Sequence, residues 1–403
     1  MTDPVSSRSV RGDPFERELA TEFGRLTEGL VQTRRDLHRH PELGFHERRT
    51  AALIAQRCSE LGLDVKTAIG GTGVIADVSG HRAGPTVLLR ADMDALPIDE
   101  GDDGRPYRSL TQGVMHACGH DGHVAVALGA AHALASLRSR WPGRVRFCFQ
   151  PAEEIDAGAA RMIADGALVG VDYAVGLHLQ AGVQTGLIEI GAGLQWGSSD
   201  EISVEIRGIG GHAGDPDQTI VNPILVAAEV VCELSQLTRE AQTVLAIAQI
   251  QGGTAANVSP QTVTLRGTVR ALEASERLRM LSEATHRAHR ISAKHGATAE
   301  VLVGVGCPPV MCDAQTTQRI RNTFAAAFGP EHIRQGTPST GSDDMARFLQ
   351  QVPGTYFRVG ASDLEAATKW FPHHHPLFDL DERALPIACE ALVRAALALL
   401  SGE

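Results

Sequence analysis

Short apolar strands that alternate with helical segments are the feature that most constrains the fold. In the first half of the chain, the apolar runs GVIADV, TVLLRAD, RVRFCFQ and YAVGLHL are separated by helical patterns such as GHVAVALGAAHALASL and AGAARMIADGAL. Such runs are typical of strands that are buried on both faces of a largely parallel sheet. The sequence therefore predicts an α/β fold with a central, mostly parallel sheet flanked by helices.

Residues 199–306 follow a different order of elements. Their patterns predict a strand, a helix, two strands, a helix and a strand, from EISVEIRGIG to TAEVLVGVG. This β-α-β-β-α-β order is that of a ferredoxin-like unit, which forms a compact domain by itself. We therefore expect a discontinuous catalytic domain over residues 16–198 and 307–403, which the ferredoxin-like domain interrupts. Residues 1–15 predict a flexible polar N-terminal arm.

Composition narrows the possible partners and the compartment. The formal net charge is −11 over 403 residues, and no run of Lys or Arg interrupts that balance. Neither a nucleic acid nor an anionic membrane is therefore an expected partner. No apolar stretch approaches the roughly 18 residues that span a bilayer, and the N-terminal segment lacks the apolar centre of a secretory signal. The seven scattered cysteines are an odd number, which is typical of reduced thiols and predicts a cytoplasmic protein.

The segment HACGHDGH, residues 116–123, combines three histidines with a cysteine and an aspartate. Cys118 and His120 are two residues apart, and in extended backbone such residues point to the same side and can face one ion. A thiolate with an imidazole suits zinc and similar metals rather than Mg²⁺ or Ca²⁺. By itself the segment fits three interpretations: a metal site, a cysteine nucleophile with a histidine base, or a polar structural loop.

Two adjacent carboxylates follow the predicted strand RVRFCFQ. Glu153 and Glu154 leave the strand end together, and adjacent side chains there project in different directions. They can therefore divide the labour, with one binding a metal and the other acting as a general base toward water. The structural alternative is a solvated pair of surface acids.

Three further segments place polar side chains at strand ends. His178 follows an apolar strand in GLHL, where a satisfied core histidine is the alternative to a ligand. Asp92 and Asp94 close TVLLRADMD on one side of a strand end, where the sites of α/β proteins form. The run FPHHHPLFD contains three consecutive histidines, of which one at most is expected to be a ligand. The joint occurrence of these groups in one domain favours a metal site.

The sequence resembles a family of metallo-amidohydrolases and metallopeptidases. The segments DMDALPI, HACGHDGH, QPAEE, GLHL, GGHAG, GSDD and HHPLFDLDE occur in the order found in that family. The family includes aminoacylases, hippurate hydrolases, auxin-conjugate hydrolases and carboxypeptidase G-type enzymes. The resemblance spans about residue 30 to the C-terminus, and the cysteine is typical of the auxin-conjugate and hippurate hydrolase branch.

The resemblance implies a site for two divalent metal ions per subunit, which are zinc, manganese, cobalt or nickel. The implied ligands are Cys118, His120, Glu154, His178 and His374. His374 is preferred to its neighbours because the family pattern reads His-x-Pro. Glu153 is implied as the general base, and Asp94 as a carboxylate that orients a ligand from behind.

For the inserted domain, the resemblance implies contacts with substrate and with a second subunit. His212 in GGHAG would stabilise the oxyanion, while Asn257 and Arg270 would hold the carboxylate end of the substrate. The domain would pair into a homodimer in which His212 reaches the partner's metal site. From the residues alone, GGH fits a turn, Arg270 fits a surface position at a strand end, and SDD in TGSDDMARF fits a helix N-cap followed by first-turn acids.

The function that the resemblance implies is hydrolysis of an amide bond in an N-acyl amino acid or a related small conjugate. Metal-activated water, with Glu153 as base, would release a carboxylic acid and a free amino acid. Dipeptidase, carboxypeptidase and carbamoylase activities are the alternatives within the family. A cysteine-nucleophile hydrolase and a non-catalytic metal-binding protein are more remote, because neither needs a free carboxylate beside a ligand. The family commonly has glycines where this chain has Ile155 and Asp156, a change that can reshape the acyl pocket.

Overall fold

The computed structural model describes residues 13–102, 104–214, 219–239, 243–304, 306–365 and 370–401. The helices in these ranges are α1 (Pro14–Arg39), α2 (Arg48–Glu60), α3 (His120–Ser136), α4 (Gly158–Ala164), α5 (Pro223–Ser235), α6 (Ala274–Lys294), α7 (Ala314–Phe328), α8 (Met345–Leu349) and α9 (Ala384–Leu400). Short 3-10 turns cover Arg138–Arg140, Gln236–Arg239 and Pro330–His332.

The strands in the same ranges are β1 (Asp64–Ile69), β2 (Gly73–Ser79), β3 (Thr86–Asp92), β4 (Arg144–Gln150), β5 (Tyr173–Gln184), β6 (Ile188–Ile190), β7 (Gly193–Trp196), β8 (Ser198–Arg207), β9 (Gly211–His212), β10 (Thr243–Gln251), β11 (Val258–Ser259), β12 (Thr262–Ala271), β13 (Thr298–Val303), β14 (Val310–Cys312), β15 (Ile333–Gln335) and β16 (Gly354–Ser362). The chain divides into two compact units. Unit 1 comprises residues 1–193, 312–337 and 347–403, and unit 2 comprises residues 194–311 and 338–346.

Unit 1 is built on one large sheet with the strand order β1-β2-β4-β3-β5-β16-β6-β15. Its central strands β4, β3, β5 and β16 run parallel, and β3 and β16 are buried along their whole length. The pairs β1–β2, β2–β4 and β16–β6 are antiparallel. The predicted α/β fold class is confirmed, with a sheet that is mixed outside its parallel centre. The short turn at residues 70–72 explains the first of these pairs, because strands joined by so few residues must run antiparallel.

The parallel centre brings the strand ends of the chemical motifs to one edge of the sheet. Asp92 at the end of β3 pairs in register with Gln150 at the end of β4. On the other side of β3, Arg90 pairs with Gly176 of β5, so His178 lies level with Asp92. The residues that follow β3 and β4 therefore emerge beside His178, at the carboxyl edge where α/β proteins place their sites.

Unit 2 contains a four-stranded antiparallel sheet with the order β10-β12-β8-β13. Strand β12 alternates buried residues with more accessible ones, which is typical of a sheet with one covered face. Helices α5 and α6 bury an apolar stripe in the same core as these strands. The element order and strand order are those of a ferredoxin-like unit.

Two details of the chain's organisation differ from the sequence-based expectation. Helix α1 begins at Pro14, because the Asp13 side chain accepts a hydrogen bond from the Phe15 backbone N–H and proline suits the first helical position. The predicted arm of residues 1–15 therefore ends earlier, and its residues 1–12 lie outside the described residues.

Among the described residues, no helix combines the length and apolar character that a membrane crossing requires.

Unit 2 is also wider than the predicted insertion of residues 199–306. It begins at Leu194, ends at Met311 and includes Pro338–Ala346, a segment that falls within the predicted catalytic domain. Backbone hydrogen bonds explain this addition, because the Ser339 N–H donates to Gln195 O at 3.0 Å and Ser339 O accepts from Gly197 at 2.8 Å. Local patterns in the sequence do not predict a contact between segments that are so far apart in the chain.

Candidate metal centre

The segment that carries Cys118 and His120 is a turn into helix α3. Gly119 has φ 90°, a left-handed conformation that favours glycine, and His120 is the first residue of the helix. The expectation of extended backbone at this point is therefore wrong. The turn nevertheless directs both side chains to one place, because one ligand atom each of Cys118, His120 and Glu154 lies within 4.8 Å of the others.

The other two predicted ligands border this group. His178 Nε2 lies 3.6 Å from Cys118 Sγ, and His374 Nε2 lies 3.3 Å from Glu154 Oε2. All five predicted ligand residues thus lie in one cluster of unit 1. Glu153 is adjacent, with Oε2 at 3.9 Å from His120 Nε2.

The hydrogen bonds of His120 and His178 determine which ring nitrogen faces the cluster. His120 Nδ1 donates to Asp94 O at 2.9 Å, and His178 Nδ1 donates to Leu179 O at 3.0 Å. A neutral imidazole that donates from Nδ1 presents a lone pair at Nε2. Backbone carbonyls commonly fix metal-binding histidines in this way. Both rings are therefore set up as Nε2 ligands.

His123 lies close to the cluster and is occupied by other contacts. Its Nδ1 lies 2.5 Å from Asp92 Oδ1, and its Nε2 accepts a hydrogen bond from the Leu179 N–H at 2.9 Å. Both ring nitrogens are engaged, so His123 has no lone pair for a metal. Asp92 in turn pairs with Arg90 at 2.6 Å. No function was predicted for His123 from the sequence; its contact with the backbone of Leu179 links helix α3 to strand β5.

The three consecutive histidines, residues 373–375, differ in whether a ring nitrogen remains available to bind a metal. His373 Nε2 accepts from the Ala181 N–H at 3.1 Å, and His375 Nδ1 accepts from the Leu377 N–H at 3.0 Å. A neutral ring that accepts at one nitrogen carries its proton on the other, so neither offers a further lone pair. His374 has φ 66°, a conformation that is uncommon outside glycine and is enriched at functional sites. The contact of His374 with Glu154 favours its prediction as the ligand, and a ligand atom of His373 also lies within 4.8 Å of those of Cys118 and His178.

The electrostatics of the cluster favour a bound cation. Hydrogen bonds to Cys118 and Glu154 raise the pKa of His374 to about 10, whereas burial holds the pKa of His178 well below its usual value. Glu154 Oε1 is buried and has no hydrogen-bond partner within the described part of the chain. A buried carboxylate oxygen without a partner is costly. A divalent ion would satisfy it, and the mixed sulfur, nitrogen and oxygen donors suit zinc and related metals.

Two buried carboxylates hold the backbone of the glutamate pair. Asp94 accepts hydrogen bonds from the backbone N–H groups of Glu153 and Glu154, each at 3.0 Å. Glu47 accepts from the preceding N–H, that of Ala152, at 2.9 Å. Ala152 has φ 53°, so these bonds stabilise a turn that alanine would not favour by itself. Asp94 was predicted from the sequence as an orienting carboxylate, whereas Glu47, which is remote in the chain, was not predicted.

Unit 2 contains the three residues that the resemblance assigned to the substrate. His212 in β9 pairs with Val258 of β11, and the Ala213 N–H donates to Asn257 O at 3.0 Å. The last two residues of GGH thus form a short strand, Gly211–His212, rather than the turn that the segment suggested. Arg270 is half-buried in β12 and donates to Ser342 Oγ at 3.3 Å.

Two smaller expectations concern the segments SDD and Ile155-Asp156. Asp343 Oδ1 accepts from the Met345 N–H at 2.8 Å, so Asp343 rather than Ser342 caps helix α8. Ile155 is 60 % exposed. Asp156 adopts φ 53°, a conformation that glycine adopts more readily, in line with the glycines that the family commonly has here.

The chain is similar to known proteins along most of its length. The sequence profile of peptidase family M20/M25/M40 matches residues 88–398. An N-acetyl-L-cysteine deacetylase from Bacillus subtilis is 36% identical over 94% of this chain and 90% of its own length. Thermostable carboxypeptidase 1 from Saccharolobus solfataricus is 33% identical over 95% of this chain and 98% of its own.

Among solved structures, a dinuclear metal-binding M20 peptidase from Bacillus subtilis is similar with a TM-score of 0.78 and 33% identity, over 94% of this chain and 100% of that one. The profile covers most of the chain, and the relatives exceed 30% identity over nearly their whole length. The resemblance drawn from the sequence motifs is therefore confirmed. The chain belongs to peptidase family M20/M25/M40 and is a hydrolase of amide or peptide bonds.

Proposed function

We propose that the protein is a metal-dependent amidohydrolase that cleaves N-acyl amino acids or related small conjugates to a carboxylic acid and a free amino acid. One observation carries the proposal: a cluster of thiol, imidazole and carboxylate groups lies beside a second glutamate that is not needed to complete it. A relative at 36% identity deacetylates an N-acyl amino acid, N-acetyl-L-cysteine, which supports this substrate class.

In this proposal, five residues hold two divalent ions, which are zinc, manganese, cobalt or nickel: Cys118, His120, Glu154, His178 and His374. A divalent ion held by these residues would supply a lowered pKa for water and polarisation of the carbonyl. Glu153 accepts the proton of the attacking water and passes it to the leaving amine. His212 stabilises the charge on the oxyanion, and Asn257 and Arg270 hold the carboxylate of the substrate.

The cysteine-nucleophile alternative is disfavoured by the environment of Cys118. Burial and the Glu154 carboxylate raise the pKa of the Cys118 thiol. An activated cysteine nucleophile requires the opposite shift, because the thiolate is the reactive form. A metal ion, by contrast, deprotonates a coordinating thiol directly.

Peptidase activity is the second candidate, because a carboxypeptidase is also a relative at 33% identity. Arg270 would bind the carboxylate of either kind of substrate. The group on the acyl side of the cleaved bond therefore distinguishes the two activities.

After defined metal loading, the protein should be assayed on N-acetyl, N-benzoyl, long-chain acyl and indole-acetyl amino acids, with dipeptides and N-carbamoyl amino acids in parallel. We expect turnover on at least one N-acyl series. Turnover confined to dipeptides or carbamoyl compounds would overturn the proposed substrate class.

Asp94→Asn is expected to weaken metal binding and turnover together. The change places an amide N–H₂ where one carboxylate oxygen accepts from the Glu153 or Glu154 backbone. Loss of such outer contacts costs about 10- to 100-fold in metal affinity or activity. Competition with a chromophoric chelator measures the affinity, and Asp99→Asn, an exposed change in the same loop, is the control. Equal effects of the two changes would contradict this assignment of Asp94.

We further propose that unit 2 joins two subunits into a homodimer. Strands β10 and β13 are the outer strands of its sheet, and such edges are usually paired or covered. Ile250 in β10 and Leu225 in α5 are apolar and exposed, which adds apolar surface that a partner can cover. In this arrangement His212 acts in the site of the partner subunit.

Mixing two defective variants tests this arrangement. Glu153→Ala removes the base and His212→Ala removes the oxyanion donor, so each homodimer should be inactive. In a heterodimer, the subunit with intact Glu153 receives intact His212 from its partner, and one of the two sites should work. The variants are co-refolded with different affinity tags, and the purified mixed dimer is assayed. Activity no higher than that of the parents would mean that His212 acts within its own chain or has no catalytic function.

A further inference from the structure

A buried ion network centred on Arg34 lies in unit 1. Arg34 of helix α1 has no solvent exposure. Its Nε donates to Asp121 Oδ2 at 2.9 Å, and its Nη2 donates to Asp379 Oδ1 at 2.7 Å. Its Nη1 lies 3.4 Å from Glu382 Oε1. One guanidinium thus contacts three carboxylates at once.

These carboxylates belong to the two segments that carry proposed ligands. Asp121 directly follows His120 in helix α3, and Asp379 lies five positions after His374. Arg34 is remote from both segments in sequence. A planar guanidinium has donors in fixed directions, so its simultaneous contacts restrict how far the two segments can move relative to each other.

Further contacts hold the same carboxylates. His38, one helical turn after Arg34, places Nδ1 at 2.7 Å from Asp121 Oδ2. The Tyr107 hydroxyl donates to Asp379 Oδ2 at 2.7 Å. Asp121 is thus held by Arg34 and His38, and Asp379 by Arg34 and Tyr107. The network is therefore geometrically restrained on both sides.

Fold stability by itself does not account for such a network. Removing charged groups from water costs much of what their mutual attraction returns, and apolar side chains of similar volume often stabilise a protein as well or better. Apolar contacts are not directional, whereas hydrogen bonds have preferred angles and distances. Hydrogen bonds can therefore fix the spacing of two segments.

We propose that Arg34 is a positioning residue for the metal centre, which fixes the segments of His120 and His374 relative to each other through Asp121 and Asp379. The inference rests on the proposed metal site. Arg34 contacts the residues beside the ligands rather than the ligands, so its loss should lower metal affinity without removing a donor atom. Loss of a residue that holds metal ligands in place typically weakens metal binding by about 10- to 100-fold.

Arg34→Lys, Asp379→Asn and Arg35→Gln form a matched set for the test. Lysine keeps the charge at position 34 and cannot span three carboxylates. Asp379 is 31 % exposed, so its change to asparagine is the milder second variant. Arg35 is the control: it is 43 % exposed and pairs with Glu382, so its loss removes one partner of Glu382 and leaves the contacts of Arg34 with Asp121 and Asp379 in place.

The intact chain is stripped of metal, and circular dichroism and Tm of each metal-free variant establish that it is folded. Zinc affinity is then measured by competition with a chromophoric chelator, and the Co²⁺-loaded proteins are compared by their visible absorption. We expect about 10- to 100-fold weaker zinc binding and an altered Co²⁺ spectrum for Arg34→Lys, a smaller loss for Asp379→Asn, and parental behaviour for Arg35→Gln.

Parental zinc affinity and spectrum in folded Arg34→Lys would overturn the inference. If that variant does not fold, parental affinity of Asp379→Asn overturns it instead. Failure of the unchanged protein to bind zinc or cobalt would contradict the proposed function itself, so the two failures are distinguishable.

Discussion

Replacing Glu153 with alanine should abolish turnover and leave the metal content unchanged, whereas Glu154→Ala should lose metal. The two side chains are adjacent, yet only Glu154 contributes to the group with Cys118 and His120. The backbone of both residues is held by Asp94, so truncating either side chain leaves the turn in place. Loss of a general base typically costs about 10²- to 10⁴-fold in rate.

Turnover at saturating substrate and metal content after dialysis measure the two defects separately. Glu60→Ala, an exposed change at the end of helix α2, serves as the control and should match the parent in both. Equal metal content and comparable activity in the Glu153 and Glu154 variants would show that the glutamates do not divide the labour. Loss of metal in Glu153→Ala would instead make Glu153 a ligand.

The sequence predicted the class of fold because its signals are local. Apolar strands, helical stripes and the β-α-β-β-α-β order each depend on residues close together in the chain. The motif order likewise identified the family, because HACGHDGH and QPAEE are contiguous strings. Local strings also directed attention to Cys118 and His120, although the turn at Gly119 was not foreseen from them.

The contacts that hold the site together were not predictable in this way. Glu47 accepts a hydrogen bond from Ala152, and Arg34 donates to Asp379, and each pair joins distant parts of the chain. Such residues resemble ordinary surface charges until the fold buries them. The sequence also did not show how the three consecutive histidines differ. That difference depends on the hydrogen bonds that His373 and His375 accept from the backbone of Ala181 and Leu377, and sequence spacing does not predict these bonds.

Removal of metal is the second change that is expected to abolish turnover. The cluster combines a thiol with a raised pKa, a buried carboxylate oxygen that has no hydrogen-bond partner among the described residues, and two imidazoles that present Nε2. Without a divalent ion, we expect these groups not to activate water at neutral pH, because a bound metal lowers the pKa of water far below that of unassisted water. Activity should therefore fall to background rather than decline in part.

The most direct test of the account is the activity of rigorously metal-free protein. The protein is dialysed against a chelator, its residual metal is measured by mass spectrometry, and hydrolysis is assayed on the N-acyl amino acid series before and after titration with Zn²⁺, Mn²⁺ or Co²⁺. The proposed metal-dependent mechanism predicts activity at background without metal and recovery that saturates near two ions per chain. Full activity in the metal-free protein would contradict it and would favour Cys118 as a nucleophile.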